Sequence, residues 1–140
     1  MIGLLQRVRH ARVEVQQHNI AEIDVGLLVF VGIEKEEDEK KANRLLERLL
    51  GYRVFSDGQG LMNFSLVDIK GELLGVPQFT LAADTRQGMR PGFSRAASPT
   101  LSRHLFDHLT HRAHSLHTTV ASGRFGADIQ VSLTNDGPVT

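Results

Sequence analysis

The sequence has no cysteine, no tryptophan and a single tyrosine. Without a thiol, disulfide staples, cysteine nucleophiles, Cys-based zinc sites and iron–sulfur clusters are all excluded. Charge of one sign is also missing: 16 basic residues balance 16 acidic ones, before seven histidines are counted. Zero net charge argues against wholesale coating of nucleic acid. It leaves room for a local basic patch, because a few phosphate contacts supply the affinity. Long apolar runs are absent too. The longest, Val25 to Ile33, is far short of the roughly 20 residues a membrane helix needs. Met1 to Leu5 meets Gln6 and Arg7 too soon for a secretory apolar region. The expectation is a soluble cytoplasmic protein with no membrane partner.

What is present suits one folded unit. Hydrophobic residues make up 41% of 140 residues, enough for one core and too many for a disordered chain. Val8, Val13 and Val15 alternate with polar neighbours, the period of a half-buried strand over Gln6 to Val15. Gln16 to Asn19 is turn-like, and Ile20 to Ile23 restarts an apolar pattern. Val25 to Ile33 is continuous and β-branched, a central strand buried on both faces. The charge run Glu34 to Lys41 reads as the solvated first turns of a helix. Ala42, Leu45, Leu46, Leu49 and Leu50 give that helix its apolar face.

Further along, Arg53 to Phe55 reads as a short strand and Leu73 to Leu81 as another. Ala82 to Ala97 has little periodicity, and a loop of that length in a small domain tends to be functional. Ser98 and Pro99 mark a helix start, with Leu101, Leu105, Leu109 and Leu116 as its stripe. Thr118 to Ala121 and Ala127 to Leu133 read as strands joined by a hairpin turn over Gly123 to Gly126. The order is β-β-β-α-β-β-α-β-β. We expect one compact mixed α/β domain over residues 1–140, with a mixed or antiparallel sheet forming a barrel-like core beside two main helices.

Four patterns could carry chemistry. His104, Asp107 and His108, with His111, resemble a zinc-hydrolase arrangement. On a helical wheel His108 falls about 40° and His111 about −20° from His104, so three imidazoles could converge on a metal. The leucine stripe lies at about 60° to 140°, so these histidines could equally form a polar helix face. Gly123-Arg124-Phe125-Gly126 matches a G-x-x-G loop, a weak signal between two strands. Finally, Gln78-Phe79-Thr80-Leu81 ends a strand and could present backbone amides and a hydroxyl, while Asn135 to Thr140 holds a Gly137-Pro138 turn. No nucleophile elbow and no glycine-rich nucleotide cradle exists.

Gln78-Phe79-Thr80-Leu81, Gly88-x-Arg90-Pro91-x-Phe93 and Asn135-x-Gly137-Pro138-Val139-Thr140 resemble the two signature motifs of D-aminoacyl-tRNA deacylases. Gln6-Arg7-Val8, Arg53-Val54-Phe55, Met62-Asn63-x-Ser65 and Gly123 to Asp128 fit the same pattern along the whole chain. The resemblance implies a homodimeric esterase with active sites at the subunit interface. Its substrate would be D-aminoacyl-tRNA, with mischarged glycyl-tRNA as a further one. No cofactor and no metal are implied. Gln78, Phe79 and Thr80 would form the catalytic wall. Gly137-Pro138 would enter the partner subunit's pocket and screen chirality, with Arg7 holding that loop. Met89 and Phe125 would complete the substrate-binding set. Arg86, Arg90 and Arg124 would contact tRNA.

Pro77 stands where the family usually has Ser, which removes a hydroxyl and a backbone donor. Gln87 stands where Lys is common. The last residue is Thr140, where relatives usually continue, so the Gly137-Pro138 loop is expected beside a fraying end. Two other function classes compete with this reading. One is a metal hydrolase built on His104, His108 and His111. The other is a non-catalytic RNA-binding module using Arg86, Arg90, Arg95 and Arg124.

Overall fold

The computed structural model describes residues 1–140. Its first three strands are β1 (Ile2–Val15), β2 (His18–Ile23) and β3 (Gly26–Gly32). Helix α1 (Glu39–Gly51), the short pair β4 (Phe55–Ser56) and β5 (Met62–Phe64), and the one-turn helix α2 (Leu66–Ile69) follow. Strand β6 (Glu72–Pro77) runs into a 3-10 turn over Phe79–Ala82. Then come helix α3 (Pro99–Leu116), β7 (Val120–Ser122) and β8 (Ile129–Asn135).

β2 and β3 lie end to end along one edge of the long β1, antiparallel to it. β8 pairs with the other edge of β1, from Val8 to Val15. β6 is parallel to β3, and β7 is parallel to β6. The main sheet is therefore mixed and curls into a nearly closed barrel.

The continuous apolar run of β3 has its cause in two cores. Leu27, Val29 and Val31 face α1 and α3, in a cluster with Leu46, Leu49, Leu105, Phe106 and Leu109. Leu28 points the other way, to Val8, Val13, Ile23, Leu74 and Val76. Alternation along the strand thus places apolar residues on both faces. Gly26 lets β3 start against β6: a Cβ there would lie 1.9 Å from the Glu72 carbonyl oxygen.

Several expectations need correction. The charge run is not all helix. α1 begins at Glu39, capped by Asp38, whose carboxylate accepts from the Lys41 N–H at 2.9 Å. Glu37 instead turns inward to the Met1 ammonium. Leu116 is exposed, and Phe106 and Ala113 complete the buried face of α3. The Gly123 to Gly126 turn is no hairpin, because β7 pairs with β6 and β8 with β1. The segment between them crosses from one side of the sheet to the other. The strand read as Leu73 to Leu81 stops at Pro77. β5 and α2 were not foreseen. Ser65 and Asp68 form a full capping box, a four-residue signal that would have marked α2.

Candidate active site

The cleft of greatest interest opens where β6 ends. Pro77 is its hinge. β7 accompanies β6 only as far as Gly75, and the last bond on that side runs from the Gly123 N–H to the Gly75 carbonyl at 2.8 Å. Pro77 lies beyond it, where no donor is required. The Gln78 N–H still bonds the Val31 carbonyl at 2.8 Å, and the chain then tightens into the 3-10 turn. In such a turn the first N–H groups have no partner within the helix. Those are the amides of Phe79 and Thr80. The Gln78 side-chain amide donates to the Thr80 hydroxyl, fixing both side chains.

The cleft has a volume of about 670 Å³. Pro77, Gln78 and Phe79 form one wall, Phe93, Ala96 and Pro99 another. Arg124 to Ile129, the crossing segment, closes the third side. Ser102 and Phe106 of α3 lie at its base. Phe79 is 58% exposed and stands edge-to-face with Phe93, ring centroids 5.1 Å apart. Such an arrangement gives an apolar slot with a few polar groups, the usual form of a small-ligand site.

A second cluster surrounds the C-terminal loop. Arg7 Nε donates to the Asp136 carbonyl at 2.7 Å, and another guanidinium nitrogen to the Val54 carbonyl at 2.6 Å. Backbone bonds join Asp136 N–H to the Arg7 carbonyl and Arg7 N–H to the Val139 carbonyl. The Asn135 side chain clasps Val139 from both sides, accepting from its N–H at 2.8 Å and donating to its carbonyl at 3.1 Å. Thr140 Oγ1 accepts from Asn135 as well. The expected fraying is thus overturned: the loop is fastened on both sides of Gly137-Pro138, at Asn135 and Asp136 before it and at Val139 and Thr140 after it. The Gly137-Pro138 bond is cis. A Cβ on Gly137 would lie 2.8 Å from the Val139 nitrogen and 2.7 Å from a Val139 methyl.

The site residues foreseen from sequence fall into separate groups. Gln78, Phe79, Arg124 and Phe125 share the cleft. Thr80 stands beside it on the 3-10 turn. Arg7, Gly137 and Pro138 form the other cluster and do not line that cleft. Met89 is wholly exposed in the 83–97 loop and lines neither. Phe93 stood in the Gly88-x-Arg90-Pro91-x-Phe93 pattern but was given no role in the site. Ser102 and Phe106 were missed: nothing in their spacing marks them, because α3 meets β6 only through the tertiary fold.

The arginines differ. Arg86 is engaged by Asp84, at 2.9 Å from Nε and 2.6 Å from a terminal nitrogen. The Arg86 side chain, with its backbone N–H, holds the Asp84 carboxyl well below the usual carboxylate range. Its positive charge is thereby offset. Arg95 pairs with Glu34 at 3.0 Å. Arg90 and Arg124 are in no ion pair.

Two of the three candidate histidines are spent on contacts between helices. His104 bonds Glu39 at 3.0 Å, and His108 bonds Asn43 at 2.8 Å, both on α1. No three histidine or carboxylate side chains are grouped as a metal ligand set. The metal-hydrolase alternative therefore has no site on this helix.

Comparisons with known proteins agree with the motif pattern. The family model described as D-Tyr-tRNA(Tyr) deacylase matches residues 4–140. A D-aminoacyl-tRNA deacylase of Pseudomonas putida (strain GB-1) is 62% identical over 140 residues, covering all of this chain and 97% of the relative. One from Stutzerimonas stutzeri (strain A1501) is 61% identical with the same coverage. Among solved structures, a c-Myc DNA unwinding element binding protein superposes with a TM-score of 0.93 at 31% identity, over 98% of this chain and 93% of that one. A probable eukaryotic D-amino acid tRNA deacylase shares the fold, with a TM-score of 0.77 at 16% identity over 97% and 94%.

Proposed function

The chain belongs to the D-Tyr-tRNA(Tyr) deacylase family, and from that premise we propose that it hydrolyses the ester joining a D-amino acid to the terminal adenosine of tRNA, in the cytoplasm. The observation that carries this reading is the full-length match at 62% identity. The cleft at the Gln78-Phe79-Thr80 turn supplies a matching chemistry.

The reaction needs a site for the developing oxyanion and a route for the leaving group's proton. The Phe79 and Thr80 amides, free of partners within their turn, are donors of fixed direction. Preorganised donors of this kind are a strong catalytic device. Water attacks the ester carbonyl, the acyl C–O bond breaks, and the ribose oxygen leaves carrying a proton. The neighbouring 2′-hydroxyl of the substrate relays that proton. No side-chain nucleophile, cofactor or metal is assigned a role.

Stereochemistry is read by the main chain. Gly137-Pro138 does not line the cleft of its own chain, which suits a homodimer in which each loop completes the partner's site. An L side chain is refused by collision with this rigid loop. Glycyl-tRNA has no side chain to collide, so it passes the same screen. Arg7 and Asn135 keep the loop rigid. Met89 and Phe125 complete the substrate-binding set, and Arg90 and Arg124, both outside ion pairs, meet the RNA, with Arg86 beside them already paired to Asp84.

Deacylation of matched D-Tyr-tRNA and L-Tyr-tRNA, with and without chelator, tests the reading. Release of only the D-amino acid, indifferent to chelator, is expected. Equal release of both, or of neither, would overturn it. Sedimentation of the same preparation should give a dimer of about twice the 15.5 kDa chain mass.

A further inference from the structure

Arg103 stands beside the cleft on an aromatic ring that lines it. It lies on α3, one residue from Ser102 of the cleft base and three from Phe106. Its guanidinium carbon sits 4.9 Å from the centroid of the Phe125 ring, and Phe125 lines the cleft. A Cβ on Gly126 would be 3.9 Å from one of its terminal nitrogens. Arg103 is exposed, and no ion pair includes it. Phe125 itself packs on the core, so the ring is a fixed plate. A guanidinium over an aromatic face keeps its charge and its fork of donors while its position is held. That is a prepared anion contact. Arg124, also outside ion pairs, lines the same cleft, opposed there by the single carboxylate of Asp128.

Resting on the deacylase reading, we propose that Arg103 binds the phosphodiester on the 5′ side of the terminal adenosine of the tRNA. The ester to be cleaved sits on the ribose of that nucleotide, so the nearest anion of the substrate is one sugar away from the reacting carbon. A cleft that holds the ester must have this phosphate at its mouth. A bidentate arginine contact fits it, and a lysine would serve only as a point charge.

The test compares two substrates with Arg103→Ala, Arg103→Lys and, as control, Arg112→Ala on the same helix. One substrate is D-Tyr-tRNA. The other is the nucleoside ester 2′(3′)-O-D-tyrosyl-adenosine, which has no phosphate. With Arg103→Ala, kcat/KM on the tRNA is expected to fall about tenfold through KM, a loss in the range of one charged hydrogen-bonded contact. On the nucleoside ester it should stay within twofold. Arg103→Lys should recover only part of the loss, and Arg112→Ala should lose nothing. Binding of uncharged tRNA should show a salt slope shallower by about one contact in Arg103→Ala. An equal fall on both substrates would mean that Arg103 only props Phe125, and an unchanged salt slope would remove the phosphate contact. Either result overturns the proposal. If the unaltered protein cleaved neither ester, the deacylase reading would fail instead, and the salt slope would still decide Arg103.

Discussion

Arg7 and Asp136 hold each other twice. The Arg7 side chain donates to the Asp136 carbonyl at 2.7 Å, and the Asp136 N–H donates to the Arg7 carbonyl at 2.8 Å. A residue of the first strand thereby fixes the backbone immediately before Gly137, across almost the whole length of the chain. The Arg7 side chain is 13% exposed, so these bonds are shielded from water.

Replacing Arg7 by Ala removes the fork and leaves the Val54 and Asp136 carbonyls unpaired. Stability should fall by about 2 kcal/mol, the scale of hydrogen bonds to a charged group. Urea denaturation would read this. Selectivity should suffer more than stability: the ratio of D-Tyr-tRNA to L-Tyr-tRNA cleavage should drop at least tenfold. Arg7→Lys should not restore that ratio.

Gly137→Ala places a methyl group against the Val139 nitrogen and side chain. The loop must move, while the core clusters, which do not include it, stay as they are. The melting temperature should shift by only a few degrees, and kcat/KM on D-Tyr-tRNA should fall at least tenfold. Unchanged kinetics would separate this loop from catalysis.

Thr80→Ala keeps the amide and removes the hydroxyl that accepts from Gln78. Activity should remain within about fivefold. Converting the Thr80 amide to an ester by semisynthesis deletes only the N–H. That change should cost about 10²- to 10³-fold in kcat, the scale of one lost oxyanion donor.

His104→Ala and His108→Ala test the contacts between α3 and α1. Both should keep full activity and ignore chelator. His108→Ala should be the more destabilising, because its ring is less exposed than that of His104 and bonds Asn43. Thermal melting separates the two.

Asp84 anchors the loop that carries Arg90. Its folded carboxyl is held below its ordinary value, chiefly by Arg86. Its contribution is therefore fully present above the ordinary carboxylate range and is lost only as pH falls through the lowered value. Exchange protection of the Gly92 N–H, which bonds the Asp84 carbonyl, should be flat from about pH 5 to pH 8, well above the ordinary aspartate value. Asp84→Asn should reduce it throughout that range.

Much of this protein was determined locally. Ser98 and Pro99 start α3 because a hydroxyl cap and a fixed φ need no distant partner, and Ser98 does accept from the Leu101 N–H. The apolar run of β3 required burial on both faces wherever it went, and two cores meet across it. The motifs around Gln78 and Gly137 were visible as patterns of residues. Tertiary structure decided what those patterns face. Only the parallel pairing of β6 with β3 and β7 leaves Pro77 past the last required donor. Only the crossing of 123–128 brings Phe125 under Arg103. Only the pairing of β8 with β1 lets Arg7 reach Asp136. These are contacts between residues far apart in the chain. Sequence periodicity reports which face of an element is apolar, and it carries no information about which neighbour covers that face.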